Sequence, residues 1–126
     1  MPVNKRFDEW KISVAPTNPA AGGALGAPVR YGSAMGVALT ALGGGGNIAT
    51  EQTVGFAPGV WAMSVTDHAG TTIAVGAPLF YTDGAPGHLD NDSTGYFFGF
   101  ALATVGNGLT ATINVAHVTA PGSGII

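Results

Sequence analysis

Residues 96–117 read YFFGFALATVGNGLTATINVAH, and this stretch decides the fold class. Leu109, Ala111, Ile113 and Val115 share one parity; Thr110, Thr112, Asn114 and Ala116 share the other. Alternation with polar residues between apolar ones marks a half-buried strand. The β-branched types in it (Thr110, Thr112, Ile113, Val115) favour the same state. Upstream, Tyr96, Phe98, Phe100 and Leu102 again share a parity. Gly106-Asn107-Gly108 lies between and offers the positive φ angles of a tight reversal. The stretch reads as a hairpin of strands over residues 96–105 and 109–120.

Shorter strands are expected upstream. Trp10, Ile12 and Val14 alternate with Lys11, Ser13 and Ala15, and Trp61, Met63 and Val65 alternate within residues 60–66. Residues 27–31 and 34–41 flank Gly32-Ser33; residues 72–75 and 78–82 flank Gly76-Ala77. Gly and Pro recur too often for long helices, and only residues 7–11 suggest a helical turn. Many short strands with frequent turns imply an all-β fold, a small β-barrel or β-sandwich of short antiparallel strands. The expected organisation is an extended N-terminal arm over residues 1–15, a flexible linker over 16–26, a β domain over 27–120 and a tail over 121–126.

The chain also repeats itself. Gly26-Ala27-Pro28-Val29-Arg30-Tyr31 matches Gly76-Ala77-Pro78-Leu79-Phe80-Tyr81, and Gly36-Val37-Ala38-Leu39 matches Gly99-Phe100-Ala101-Leu102. The two pairs of blocks describe a duplicated strand–turn–strand unit with spacers of different length. A proline opens each first strand, where its missing N–H is tolerated.

Composition narrows the function. Of 126 residues only 9% are charged while 46% are hydrophobic, so a charge-rich disordered chain is excluded. No apolar run reaches the length of a membrane-spanning helix. The absence of cysteine excludes disulfides, a thiol nucleophile and thiolate-bound zinc. Residues 1–11 are polar and carry no signal-peptide pattern, so synthesis and use without export are expected. All four basic residues (Lys5, Arg6, Lys11, Arg30) precede residue 31; Glu51, Asp67, Asp83, Asp90 and Asp92 follow it. With no basic patch on the body, no nucleic-acid partner is expected. Low charge density points to apolar surface covered by partners, with Trp61, Met63, Phe80, Phe97 and Leu102 as candidates.

No catalytic motif emerges. His68, His88 and His117 lie on separate segments without metal-ligand spacing, and read as turn and strand-end residues. Asp90-Asn91-Asp92-Ser93-Thr94-Gly95 resembles half of a calcium loop, but Ala101 stands where the bidentate acid belongs, so a solvated turn is the better reading. Gly43 to Gly46 lack the Lys-Ser/Thr of a phosphate loop, and there is no nucleophile elbow. No enzymatic activity, cofactor or metal is expected. Residues 1–15 read instead as a binding arm: Lys5, Arg6 and Lys11 supply charge, Phe7 and Trp10 large anchors, and Ile12 and Val14 the alternate side chains of an added strand; the alternative is that Trp10, Ile12 and Val14 complete the chain's own barrel.

The motif order resembles that of the capsid decoration (cement) proteins of tailed bacteriophages. It runs Phe7-Asp8-Glu9-Trp10, Gly26-Ala27-Pro28-Val29, Gly36-Val37-Ala38-Leu39, Val75-Gly76-Ala77-Pro78-Leu79-Phe80-Tyr81, Gly99-Phe100-Ala101-Leu102 and Ala111-Thr112-Ile113-Asn114-Val115. The likeness covers residues 7–118; Ala27 and Ala77 stand where such proteins often have Asp. It implies a virion protein, made in the host cytoplasm, on the exterior of the assembled head. It further implies the major capsid protein as partner and a homo-oligomer, with a trimer favoured. The alternative is a secreted or surface β-domain binding carbohydrate, resting on Trp61, Tyr81, Tyr96 and the Asp90–Thr94 loop.

Overall fold

The computed structural model describes residues 11–17, 25–68, 70–83 and 88–118. The fold is all-β. Among the described residues, nine strands form a four-stranded sheet and a closed five-stranded barrel. The sheet uses β1 (Lys11–Val14), β2 (Pro28–Tyr31), β3 (Ala34–Ala38) and β4 (Gln52–Gly55) in the order β1-β4-β3-β2. The barrel uses β5 (Gly59–Thr66), β6 (Pro78–Tyr81), β7 (Leu89–Asp90), β8 (Tyr96–Ala101) and β9 (Thr110–His117) in the order β5-β7-β6-β8-β9.

Every strand contact in the barrel is antiparallel except β5 with β7. Strand directions cannot alternate all the way around a ring of five, so closure forces one parallel pair. The remaining strand pairs of barrel and sheet are antiparallel, as expected of a small barrel of short antiparallel strands.

The repeat in the sequence is a repeat in space. Gly26 N–H donates to Ala38 C=O (2.8 Å) and Ala38 N–H to Ala27 C=O (2.9 Å). The second copy reproduces both bonds, from Gly76 to Ala101 (2.7 Å) and from Ala101 to Ala77 (2.9 Å). Gly26 and Gly76 both adopt left-handed φ, 83° and 88°, which a side chain would disfavour. The correspondence extends to the neighbouring strands. Leu39 N–H donates to Thr53 C=O on β4, as Leu102 N–H does to Asn114 C=O on β9. Val54 faces Ala38 as Val115 faces Ala101. Val14 faces Gln52 as Met63 faces Ile113. Thus β1, β2, β3 and β4 correspond to β5, β6, β8 and β9, and β7 is the addition that closes the barrel.

Two apolar clusters hold the molecule together. Val14, Val29, Ala38 and Val54, with Phe56 against them, fill the sheet's inner side. The larger cluster fills the barrel with Met63, Val65, Leu79, Tyr81, Leu89, Phe98 and Val115, and it takes in Met35 and Val37 from β3. The outer face of β2–β3 therefore docks on the barrel. Burial of each large side chain contributes about 1.5–3 kcal/mol.

Polar contacts of Arg30 and His117 join the bodies. Arg30 on β2 donates from Nε to Asp83 Oδ1 (3.0 Å) and from Nη2 to Oδ2 (3.1 Å), and its guanidinium lies 4.4 Å from the centroid of Tyr96. His117 on β9 places Nδ1 3.1 Å from Ala57 O and Nε2 3.1 Å from Met35 O.

The hairpin of residues 96–120 differs from its expected form. β8 ends at Ala101, and its pairing with β9 is Gly99 with His117, Phe100 with Ala116 and Ala101 with Val115. Val105 instead exchanges both backbone bonds with Ile73 (2.9 and 3.0 Å). The parity of β8 breaks as well: Leu79 pairs Gly99 while Phe80 pairs Phe97, so Phe98 is a bulged residue. The bulge turns Phe98 inward, fully buried, while Tyr96 and Phe100 stay exposed.

Candidate functional site

The expected arm divides at residue 11. Lys5, Arg6, Phe7 and Trp10 lie outside the described residues, as do residues 18–24 of the linker and the tail. Lys11, Ile12 and Val14 fall in β1, which is bonded to β4 along its whole length. Residues 11–14 of the expected donated strand therefore already belong to the chain's own sheet. Val14 is a core residue, whereas Lys11 is exposed and Ile12 is 40% exposed. β1 is an outer strand of the sheet, and strands in that position present main-chain groups to a further strand. Just beyond it, Thr17 crosses to β2, where its N–H donates to Arg30 C=O (2.9 Å).

Lys11 is the described basic residue on this edge strand, and Arg30 lies on β2 at the other edge of the sheet. Arg30 is committed to Asp83, and no Lys or Arg follows it in the chain. At the far end of the barrel lie acidic loops. Asp67 is buried and accepts from Gly108 N–H (2.8 Å), Asn91 Nδ2 (3.0 Å) and Thr71 N–H (3.3 Å). It therefore pins three loops at once, a role that nothing local in the sequence announced. Asp67→Asn removes charge-assisted acceptance and is expected to cost about 1–2 kcal/mol, read as a lower midpoint in urea with unchanged slope.

The Asp90–Gly95 segment is a self-satisfied turn. Asp90 Oδ1 accepts from Asp92 N–H (2.9 Å), and Asp92 Oδ1 accepts from Thr94 N–H (3.0 Å) and Thr94 Oγ1 (2.7 Å). The bonds from Thr94 hold the Asp92 carboxyl below its usual value, with a smaller contribution from His68. Among the described residues no group of three or more His, Asp or Glu is placed to hold a metal ion.

The aromatics proposed as a sugar platform do not form one. Tyr81 is fully buried, Trp61 packs partly against the barrel core, and Tyr96 lies beneath Arg30. A different aromatic surface stands on the outer side of β6–β8. Phe80 and Phe97 meet edge to face at 5.8 Å, and Phe97 and Phe100 at 5.4 Å. Pro78, Leu102 and Val60 extend it, and Phe100, Leu102 and Val60 are exposed. Of the five apolar residues singled out as interface candidates, Phe80, Phe97 and Leu102 lie here, while Met63 is in the core. The phenylalanines were visible in the sequence, but the bulge that sorts them from buried Phe98 was not.

Comparison with family models, curated proteins and solved structures finds no match to this chain.

Proposed function

We propose that the protein is a head decoration protein of a tailed bacteriophage, binding the major capsid protein on the exterior of the assembled head. One observation carries the reading. The outer strand β1, with Lys11 and Ile12 exposed, directly continues the basic and aromatic segment Lys5-Arg6-Phe7-Asp8-Glu9-Trp10. An outer strand that follows cations and large anchors in the sequence suits docking by strand addition, in which main-chain bonds give affinity and side chains give register. The motif order quoted above agrees with it. Behind the edge stand two β bodies joined by a shared core, a rigid support for such a contact. The action is mechanical. Binding energy at each site, multiplied over the shell, opposes separation of neighbouring capsid subunits.

Co-sedimentation with expanded, undecorated heads of the parent phage tests this. The full chain is expected to pellet with heads at micromolar concentration. Deleting residues 1–10 leaves β1 in place, and is expected to weaken head binding at least tenfold while the far-UV spectrum is kept. Failure of the full chain to bind heads sinks the reading; undiminished binding by the shortened chain removes the arm from it.

A further inference from the structure

Asn107 is the one asparagine of the chain that is followed by glycine. In such a step the glycine nitrogen, unhindered by a side chain, attacks the asparagine side-chain carbonyl carbon. A bond forms between Gly108 N and Asn107 Cγ, and the side-chain amide leaves as ammonia. Solvent takes the proton from Gly108 N and returns one to the leaving nitrogen. Water then opens the cyclic imide at either carbonyl, giving aspartate or the isomer whose main chain runs through the side-chain carboxyl. The structure leaves this step accessible. Asn107 and Gly108 are both exposed, in a turn closed by Leu109 N–H donating to Gly106 C=O (3.0 Å). Gly108 has a φ of 73°, and a Cβ there would meet nothing within 4 Å.

Asp67 holds the nucleophile. Gly108 N–H donates to Asp67 Oδ2 (2.8 Å), and Asp67 N–H donates to Leu109 C=O (3.0 Å), so the acid grips the turn twice. The buried carboxylate is fixed in place, because its Oδ1 accepts from Asn91 Nδ2 and Thr71 N–H. The bond to Gly108 opposes ring closure in two ways. Attack requires the nitrogen without its proton, and a hydrogen bond to a negative acceptor favours the protonated form. The N–H also sits on the peptide that turns with Asn107 ψ, so rotation that brings the nitrogen toward Cγ tears it from the carboxylate.

We propose that the Asn107–Gly108 step is a site of spontaneous deamidation gated by Asp67: it is suppressed while the carboxylate holds the Gly108 amide and reacts once that bond is lost. Asp67 is a positioning residue here, acting through the nitrogen it holds. The product reinforces the opening. It sets a second carboxylate next to the turn that Asp67 grips, or adds a methylene to the main chain of that turn, and either change weakens the contact among the three loops. The reaction needs only water, so the inference stands apart from the capsid reading.

The test incubates the full chain in warm, mildly alkaline buffer, folded and in urea, and follows the peptide containing residue 107 by mass spectrometry and isoaspartate assay. Folded wild type is expected to convert at Asn107 about tenfold or more slower than the unfolded chain, the factor that one hydrogen bond to a charged group supplies. Asp67→Asn, folded by its far-UV spectrum, is expected to lose most of that protection. His117→Gln lowers stability without touching the turn and is expected to keep it, which separates the loss of one bond from a general loosening. Should Asp67→Asn not fold, Asn91→Ala takes its place with a smaller acceleration, because it removes one of the bonds that orient the carboxylate. Conversion in folded wild type as fast as in urea, an Asp67→Asn chain as protected as wild type, or equal acceleration by His117→Gln overturns the proposal. So does an Asp67→Asn chain that converts more slowly than wild type, because the carboxylate would then be the base that starts the reaction.

Discussion

Gly99→Ala is expected to prevent folding of the barrel. A Cβ at residue 99 falls 1.8 Å from Ala116 O and 2.9 Å from its carbonyl carbon, inside the β8–β9 ladder. The obstacle is backbone, so no rotamer relieves it, and the two strands must part. They part where Phe98 stacks on His117, at a centroid distance of 4.4 Å, so the loss spreads into the core. Ordinary overpacking costs about 1–3 kcal/mol, and separating a ladder inside a closed barrel lies above that range. For a domain of this size about 4 kcal/mol lowers the melting temperature by more than roughly 10 °C. Gly36 is the same residue in the first copy, and its added Cβ meets Val54 Cγ1 at 2.5 Å and Gly55 O at 2.7 Å. Gly36→Ala is expected to be the milder of the two, because part of its obstacle is a side chain. Calorimetry of both variants checks the order; a Gly99→Ala protein that melts within a few degrees of wild type contradicts the register described here.

The repeated glycines show how much of the fold the sequence made legible. The blocks around Pro28 and Pro78, and around Gly36 and Gly99, could be matched by eye, and each match is a matched pair of hydrogen bonds. Their unequal spacers also acquire a reason: the longer one, between Tyr81 and Gly99, holds β7, which turns a sheet into a barrel. β7 itself could not be read, because two residues have no periodicity. β4 was missed for a related reason: Gln52, Thr53, Val54 and Gly55 form a short strand with only one strongly apolar side chain. Alternation found β5 and β9, which are eight residues long, and found them in the right phase.

What alternation cannot reveal is a change of phase imposed from outside the strand. Phe98 turns inward because β8 carries one residue more than β6 across the ladder, and that is a property of the pair. The same limit applies to the candidate sites. Trp10, Ile12 and Val14 alternate equally well whether their partner strand is foreign or their own, and pairing with β4 decides it only for residues 11–14. Asp67 looked like one turn acid among several, yet Gly108 and Asn91, which complete its coordination, are 41 and 24 residues away.

His117 is the tie whose loss should next most weaken the molecule, and it should also respond to pH. The ring is 2% exposed, stacked on Phe98, and faces two backbone carbonyls from the first half of the chain. A neutral imidazole donates from only one of its nitrogens, while the cation could satisfy both carbonyls but must be desolvated. Burial outweighs the two hydrogen bonds and holds His117 below its ordinary value. No charged residue lies on the elements around it, β3, residues 56–58, β5 and β8; their one titratable side chain is Tyr96, beneath Arg30. Because the folded value is depressed, the unfolded chain binds the proton more readily. The contribution is therefore full above the unfolded value of about 6.5 and is lost as pH falls from there through the folded value. The slope cannot exceed about 1.4 kcal/mol per pH unit for one group. Urea unfolding between pH 8 and pH 5 is expected to show a plateau and then a decline. His117→Gln is expected to remove that decline and to cost about 2–4 kcal/mol at pH 8, through lost stacking and a buried carbonyl left unpaired. Stability of the wild type that rises as pH falls from 7 to 5 would instead mean that the cation is the form the two carbonyls select.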